Sequence, residues 1–344
     1  MNHDVKRIKS IVFSLLLIGQ SAAFAFRIDR VVVFGDSLSD IGNLYQYMNA
    51  QIPMSPPYYQ GRFSDGPVWV ELVTEDLSKY NPHIHMENYA FGGASVLQED
   101  DFAPGAYLSL RSQVDAFFET HALFDNQETL YIILMGANDY IDLDDNQVIS
   151  EHIDNVISEI NDQASRLAKR GAKFILIGNL PDLGRSPLAQ ELDSEQVLSE
   201  ITAEHNVKIK HKIEHLKVEY PDARWIFFDI YHFFTDAFYH PDKYNFKYTK
   251  TPCYGLGEDE NLAGVDPVLS FASHPRFLKI KAHNCDSYLF FDIVHPTRRG
   301  HAFTASLALT AIKEAIGMCV PCASGDSGMT DSMTPSSCVN TPRI

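Results

Sequence analysis

Uninterrupted, mainly apolar runs recur along the chain and stop abruptly at a glycine or an aspartate. The runs lie at residues 31–34, 130–135, 173–177 and 225–229. A short apolar run bounded by turn residues is typical of a strand that is buried on both faces, as in a parallel sheet. The pattern therefore predicts strands at these positions.

Between these runs, apolar residues recur every three or four positions, which is the spacing of one helical face. The predicted helices cover about residues 147–170, 195–219 and 298–316, and another begins near Pro67. Strands that alternate with helices argue for an α/β fold in which helices flank a parallel sheet. We predict one domain over residues 26–318. The Cys-containing tail, residues 319–344, is rich in Ser, Thr, Gly and Pro and is expected to be disordered.

Ser37 lies in the turn directly after the first predicted strand, in Gly35-Asp36-Ser37-Leu38. Open α/β folds place their chemistry at the carboxyl edge of the sheet. Ser37 is therefore a candidate nucleophile at the start of a helix, with the positive end of the helix dipole behind it. The alternative is that Ser37 only caps that helix, since serine is favoured at this position.

Two further turns at strand ends carry candidate hydrogen-bond donors. A short strand ends in Gly92-Gly93, where the Gly93 N–H could approach an oxyanion closely; the alternative is a plain tight turn. Asn138 follows the strand at 130–135, and its amide can donate to developing negative charge without changing protonation. The alternative for Asn138 is an Asx turn.

Asp292 and His295 lie three residues apart, directly before the predicted helix at 298–316. A histidine near a nucleophile can take its proton, and a carboxylate can fix the imidazole tautomer and stabilise its cation. The alternative is a capping or surface pair. The pattern is compatible with a general base and its orienting acid.

Composition narrows the class of protein and of partner. The 344 residues are 45% hydrophobic and 21% charged, which is ordinary for a globular protein with a sizeable core. The formal net charge of −17 argues against a nucleic-acid partner, which would require a basic face. The same charge disfavours membrane docking through polybasic attraction.

The N-terminus has the organisation of a signal peptide, predicted over residues 1–25. A basic segment with Lys6, Arg7 and Lys9 precedes the apolar stretch Ile11–Ile18, and Ala23-Phe24-Ala25 supplies the small residues of a cleavage site. The alternative is a buried N-terminal helix. We predict cleavage near Ala25 and a secreted protein, extracellular or periplasmic.

The five cysteines all lie after residue 250, at positions 253, 285, 319, 322 and 338. In an exported protein, disulfides persist. A Cys253–Cys285 disulfide would contribute on the order of 3–4 kcal/mol in the chain-entropy model. It would also hold a loop beside Asp292 and His295, and we predict that this loop gates activity. The pairing of Cys319, Cys322 and Cys338 stays open, although a tail disulfide is favoured over a metal or redox half-site.

Three other groups have a functional and a structural interpretation. His211 and His215 share a helix face but lie among lysines, which favours a solvated surface over a metal site. Asp142, Asp144 and Asp145 lack the glycine and the distal glutamate of an EF-hand, so we predict surface carboxylates and no metal. The aromatic residues between Tyr231 and Tyr248 could line an acyl-chain groove or a membrane-facing rim, with core packing as the commoner use.

The four turn motifs together resemble the SGNH/GDSL family of serine hydrolases, block by block. The blocks are Gly35-Asp36-Ser37-Leu38, Asn88 through Gly93, Gly136-Ala137-Asn138-Asp139, and Asp292-Ile293-Val294-His295-Pro296. The segments around residues 61–71 and 244–253 resemble more narrowly the branch of bacterial phospholipases, haemolysins and glycerophospholipid:cholesterol acyltransferases. The resemblance covers about residues 30–316. Asn245 stands where these relatives usually carry glycine, a departure that concerns only the local turn.

The resemblance implies a three-layer α/β/α sandwich with a central parallel sheet and no cofactor or metal. It implies that Ser37 attacks an ester carbonyl, that His295 accepts its proton and that Asp292 orients His295. The oxyanion would be bound by the N–H groups of Ser37 and Gly93 and by the Asn138 amide. The acyl-serine intermediate would then pass to water or to another alcohol.

The expected function is that of an exported lipolytic esterase, of phospholipase A or lysophospholipase type, with acyl transfer to cholesterol as a further activity. Its expected partners are a phospholipid or lysophospholipid substrate and, transiently, a membrane surface. The alternatives are a carbohydrate or small-ester acetylesterase and a non-catalytic exported binding protein.

Overall fold

Five parallel strands form the central sheet of the described chain, in the order β2-β1-β3-β4-β5. The computed structural model describes residues 27–98, 106–121, 128–141, 148–255, 279–280 and 284–318. The predicted signal peptide, the acidic residues 142–145 and the three cysteines of the tail lie outside these ranges. The strands are β1 Arg30–Gly35, β2 His85–Asn88, β3 Thr129–Leu134, β4 Phe174–Gly178 and β5 Arg224–Phe228, with a short antiparallel pair, β6 Tyr254–Gly255 and β7 Lys279–Ile280.

Helices connect the strands as the alternating pattern predicts. They are α1 Asn43–Tyr47, α2 Trp69–Ser78, α3 Leu110–Thr120, α4 Asn138–Ile141, α5 Ile149–Lys169, α6 Pro187–Glu191, α7 Glu195–Glu219, α8 Ile230–Tyr239 and α9 Arg298–Ala315, with 3₁₀ turns at Leu183–Arg185 and Pro241–Tyr244. In the described chain, no helix combines the length and apolar character needed to cross a membrane.

The two faces of the sheet bury separate sets of side chains, because successive residues of a strand point in opposite directions. Val32 and Phe34 of β1 face the layer that contains α3, α5 and α7. Val31 and Val33 face the layer that contains α2, α8 and α9. All four side chains are fully buried. The predicted α/β fold, a parallel sheet between two helical layers, is therefore confirmed.

The turn at Asn245 has a backbone conformation that usually favours glycine. Asn245 ends the 3₁₀ turn Pro241–Tyr244 with φ 54° and ψ 35°, in the left-handed region. Asparagine is among the few residues other than glycine that adopt this conformation readily. Asn245 can therefore end this turn without a glycine.

Candidate active site

The four motif-bearing segments meet at one edge of the sheet. β1 pairs with β2 on one side and with β3 on the other, so the turns after these three strands are neighbours. The fourth segment, Asp292–His295, lies immediately before α9. Ser37 and Asn138 line the same cleft as Val294 and Pro296. The parallel order of the strands thus places Ser37 near Asn138, and the segment before α9 brings His295 to Ser37 from more than 250 positions away in sequence.

Ser37, His295 and Asp292 form a continuous hydrogen-bonded chain. His295 Nε2 lies 2.8 Å from Ser37 Oγ, and His295 Nδ1 lies 2.7 Å from Asp292 Oδ2. All three side chains are at most 4% exposed. This is the arrangement in which an imidazole can accept a hydroxyl proton at one nitrogen while a carboxylate holds the other.

The predicted helix start at Ser37 is wrong. The segment Asp36–Asp40 is a turn, and the first helix begins only at Asn43. Asp36 Oδ1 accepts the N–H of Leu38, and the carboxylate of Asp40 accepts those of Gly42, Asn43 and Leu44. The N–H groups of Ser39 and Asp40, which a capping Ser37 would accept, donate instead to the backbone carbonyl of Asp36. The Ser37 hydroxyl faces His295.

Asp292 is held by four donors. Its Oδ1 accepts the backbone N–H groups of Val294 and His295 at 2.8 and 2.7 Å, and its Oδ2 accepts from His295 Nδ1 and from the Tyr58 hydroxyl, both at 2.7 Å. Burial alone would raise the pKa of Asp292, but the adjacent His295 and these hydrogen bonds hold the pKa below its usual value. Asp292 therefore stays ionised in a site from which water is excluded.

Tyr58 is a site residue that the sequence motifs did not indicate. Its ring is 2% exposed and packs edge-on against Phe291, with the ring centroids 5.1 Å apart. Phe63 lies 4.9 Å from the His295 ring, and Ser64 Oγ donates to the Pro296 carbonyl at 2.9 Å. Residues 58–64 thus support the back of the Asp292–His295 segment. Tyr58 belongs to none of the motifs. The only indication in the sequence that it belongs to the site is its position a few residues before the segment 61–71.

We expect Tyr58→Phe to lower kcat about tenfold while leaving KM for a short ester within about twofold, because one hydrogen bond to a charged group contributes about 1.5–3 kcal/mol. The ring and its packing remain, so the loss reports the hydrogen bond to Asp292. Steady-state kinetics with p-nitrophenyl butyrate measure it. Tyr131→Phe is the matched control, because Tyr131 is a fully buried tyrosine of β3. Unchanged kcat in Tyr58→Phe would show that Asp292 needs only its other three donors.

Asn138 begins α4 and faces the cleft. Its Nδ2 donates one N–H to the carbonyl of Ala94 at 2.8 Å, which fixes the orientation of the amide. An Asx turn would use the side-chain oxygen locally, so the bond to Ala94 favours the donor interpretation. The amide has a second N–H, and Asn138 lines the same cleft as Ser37.

Gly93 lies in the turn that supplies the Ala94 carbonyl. Its φ of +80° is a conformation that favours glycine, and the turn is closed by Ala94 N–H donating to Phe91 O at 3.0 Å. Ser37 and Asn138 line the apolar cleft, whereas Gly93 is not among its lining residues. The role of Gly93 as a donor therefore stays a prediction.

Two buried carboxylates connect the turns that follow β1, β2 and β3. Asp40, after β1, accepts the Gly92 N–H at 2.8 Å. Asp139, after β3, accepts the N–H groups of Val96 and Leu97 at 2.8 and 3.0 Å. The segment around Gly93 is thus held from both neighbouring turns.

Asp36, next to Ser37, carries a strongly displaced pKa. Burial raises the pKa of Asp36 to about 7, against smaller opposing effects of the Leu38 N–H and of His295. An acid whose folded pKa lies above its unfolded pKa binds more protons when folded, so its ionisation destabilises the protein as pH rises from about 4 to 7.

We therefore expect Asp36→Asn to raise the thermal midpoint relative to the parent at pH 8, and to leave the two equal near pH 4. Above pH 7 the difference stays constant, because Asp36 is then ionised in both the folded and the unfolded state. Calorimetry across this range measures it. A difference between parent and variant that is independent of pH would contradict the displaced ionisation.

The walls of the cleft are mainly apolar. Aliphatic and aromatic side chains come from the turns after β1, β3 and β4, from α4 and α8, and from the segments on both sides of Asp292; they are Leu38, Ala137, Ile141, Pro181, Leu183, Phe234, Phe238, Leu289, Phe290, Val294 and Pro296. The aromatic residues 231–248 therefore have more than one use. Phe238 and the buried Phe234 line the cleft, and Phe233 and Phe246 pack with Phe234 in the core.

Cys253 and Cys285 are joined as a disulfide, with their Cα atoms 5.6 Å apart. The backbone N–H groups of Cys253 and Tyr254 donate to the carbonyls of Phe290 and Phe291. The disulfide therefore anchors a segment against the residues that precede Asp292. Most of the loop between the cysteines lies outside the described residues, so gating by this loop stays a prediction.

The metal alternatives receive no support from the described residues. His211 and His215 are both exposed on α7. Where the structure describes the chain, no three or more His, Cys, Asp or Glu side chains are grouped so that they could hold a metal ion. The predicted absence of a metal stays a prediction.

Comparison with known proteins supplies independent evidence. Residues 31–308 match the profile of the GDSL-like lipase/acylhydrolase family. The phosphatidylcholine-sterol acyltransferase of Aeromonas hydrophila is 31% identical over 83% of this chain and 90% of its own length. The secreted effector protein SseJ of Salmonella typhimurium is 29% identical over 80% of this chain and 61% of its own length. The thermolabile hemolysin of Vibrio parahaemolyticus is 24% identical over 82% and 63%, respectively.

Proposed function

We propose, from the premise that this chain belongs to the GDSL-like lipase/acylhydrolase family of ester-cleaving enzymes, that it is a lipolytic serine esterase acting on phospholipids or lysophospholipids. The observation that carries the proposal is the apolar cleft that opens onto Ser37, with Phe234, Phe238 and Phe290 among its walls. Moving an acyl chain from water onto such a surface is favourable because apolar area is buried. An acetylated sugar has little apolar area to bury there.

In the proposed mechanism, Ser37 Oγ attacks the ester carbonyl while His295 Nε2 accepts its proton. Asp292 holds His295 Nδ1 and stabilises the imidazolium. The oxyanion accepts hydrogen bonds from the backbone N–H groups of Ser37 and Gly93 and from the second N–H of Asn138. His295 then donates its proton to the leaving alcohol, and an acyl-serine remains.

The acyl-serine can be resolved by water or by another alcohol, since either can be deprotonated by His295. Water completes hydrolysis, and a sterol hydroxyl completes acyl transfer. The similarity to a phosphatidylcholine-sterol acyltransferase supports cholesterol as an acceptor, with transient contact between the protein and a lipid surface. Neither hydrolysis nor acyl transfer requires a cofactor in this mechanism, in agreement with the expectation from the sequence.

The decisive experiment is product analysis with the purified protein lacking residues 1–25. Phosphatidylcholine, lysophosphatidylcholine and acetylated xylo-oligosaccharide are each supplied with and without cholesterol, and fatty acid, cholesteryl ester and acetate are quantified. We expect fatty acid from the phospholipids and little acetate. Clear deacetylation without lipid turnover would replace the proposal with the acetylesterase alternative, and no turnover at all would favour a binding protein.

We further propose export after cleavage near Ala25, on the strength of the basic, apolar and small-residue segments of residues 1–25. N-terminal sequencing of protein recovered from outside the cytoplasm should begin near Phe26. Recovery of only the full-length chain from the cytoplasm would contradict export without affecting the proposed chemistry.

A further inference from the structure

Arg185 lies at the mouth of the cleft that contains Ser37. It ends the 3₁₀ turn Leu183–Arg185, which follows β4 at the same sheet edge as the turns of Ser37 and Asn138. Arg185, Ser37 and Asn138 line one cleft. The Arg185 side chain is 38% exposed, whereas Ser37 is 4% exposed. The cation therefore stands at the rim and the hydroxyl at the base.

The inner edge of the Arg185 guanidinium is fixed by the surrounding structure. Its Nε lies 3.5 Å from Asp182 Oδ2, while Asp182 Oδ1 already accepts from Ser199 Oγ and from the Gly184 N–H. The guanidinium carbon lies 5.6 and 5.5 Å from the ring centroids of Phe238 and Tyr239. Stacking on aromatic rings orients a guanidinium and reduces the entropy lost when it binds an anion.

The outer edge of the same guanidinium is available. Its Nη1 and Nη2 make no hydrogen bond to the described residues, and its buried Nε makes none either. Arg185 is the one cationic Lys or Arg side chain among the described residues that line the cleft. Because the net charge of the protein is −17, its long-range electrostatic field does not attract anions. The binding position of an anion is therefore set by a local cation that is held in place.

We propose that Arg185 binds the phosphate of a glycerophospholipid and so selects phospholipid over neutral lipid esters. The inference rests on the proposed lipolytic function, and it assigns recognition of the substrate phosphate to the Arg185 guanidinium. A guanidinium matches two phosphate oxygens through parallel N–H donors. In a glycerophospholipid, one glycerol unit carries both the phosphate and the acyl ester. Arg185 at the rim can therefore bind the phosphate while Ser37 at the base attacks the ester. The acyl chain of the lipid then lies against the apolar walls.

The test compares two lipids that share an acyl chain and differ in the phosphocholine group, which only one of them carries. 1-Oleoyl-lysophosphatidylcholine and 1-oleoylglycerol are presented in mixed micelles at the same mole fraction. We expect Arg185→Gln to lower kcat/KM for the phospholipid about 10- to 100-fold, the range of a lost charged hydrogen bond, and to change kcat/KM for oleoylglycerol less than about threefold. Arg185→Lys should show an intermediate loss of kcat/KM for the phospholipid, since lysine keeps the positive charge but lacks the two parallel N–H donors of a guanidinium.

Arg111→Gln is the matched control, because Arg111 is an exposed arginine of α3, outside the cleft, that pairs with Glu159. Equal losses on both lipids would reduce Arg185 to a structural residue, and no loss on either would also overturn the inference. Inhibition by sn-glycerol 3-phosphate that disappears in Arg185→Gln, without discrimination between the lipids, would assign the site to soluble phosphoesters instead. A parent enzyme that hydrolyses p-nitrophenyl butyrate but neither lipid would overturn the proposed function itself.

Discussion

Replacing Ser37 by alanine should reduce ester hydrolysis by about 10⁴- to 10⁶-fold, because nothing else in the proposed mechanism can form the covalent acyl intermediate. The change removes a single oxygen whose hydrogen-bond partner is His295 Nε2. The turn around it should persist, since Asp36 and Asp40 supply its hydrogen bonds. Initial rates with p-nitrophenyl butyrate and with lysophosphatidylcholine measure the loss.

Ser39→Ala provides the matched control from the same turn. Ser39 is also fully buried, but its hydroxyl accepts from Trp69 Nε1 at 3.1 Å instead of facing His295. We expect this variant to lose stability of about 1 kcal/mol and to keep most of its activity. A fluorophosphonate probe should label Ser39→Ala and not Ser37→Ala. If Ser37→Ala hydrolysed either ester at the parent rate, the nucleophile would have to be another residue.

Asn138→Ala should lower kcat about 10²- to 10³-fold with little change in KM, because an oxyanion donor acts mainly on the transition state. The variant also loses the bond from Nδ2 to Ala94, but the Gly93 segment stays held through the bonds to Asp40 and Asp139. The variant keeps Ser37 and His295, so slow labelling by the fluorophosphonate should remain. That residual labelling separates loss of a donor from loss of the nucleophile.

Asn179→Ala is the control for Asn138→Ala. Asn179 follows β4 as Asn138 follows β3, but its amide donates to Asp229 at 2.9 Å, and it does not line the cleft. We expect at most a few-fold change in kcat for this variant. A rise in KM with unchanged kcat in Asn138→Ala would indicate that the amide binds substrate and transition state equally well.

The fold was accessible from the sequence because the central strands β1, β3 and β4 are buried on both faces. Such strands appear as continuous apolar runs, and the helix predicted at 195–219 matches the observed one from Glu195 to Glu219. The proximity of Ser37 and Asn138 also follows from topology, since parallel strands end at one edge. The Asp292–His295 pair follows no strand of this sheet, and its place beside Ser37 is seen only in the structure. Local patterns therefore predict both the layers and the place where the chemistry gathers.

What the sequence did not reveal depends on side-chain contacts. Ser37 was expected to begin a helix, but the carboxylates of Asp36 and Asp40 compete for the backbone N–H groups and delay the helix to Asn43. Tyr58 contacts a residue 234 positions away, a distance over which no periodicity carries information. Arg185 is one of 28 basic residues, and only its place in the cleft distinguishes it.

Most of the cleft wall comes from a part of the chain that contains none of the reacting groups. Ser37, Gly93 and Asn138 precede residue 140, and Asp292 and His295 follow residue 290, whereas most of the wall is supplied by residues 181–186, α8 and residues 289–290. Selection can thus remodel the wall without disturbing the turns that perform the chemistry. Diversity of substrates within such a lineage should accordingly accumulate in the second half of the gene, and grafting residues 181–290 from a relative is the direct route to changing the preferred ester.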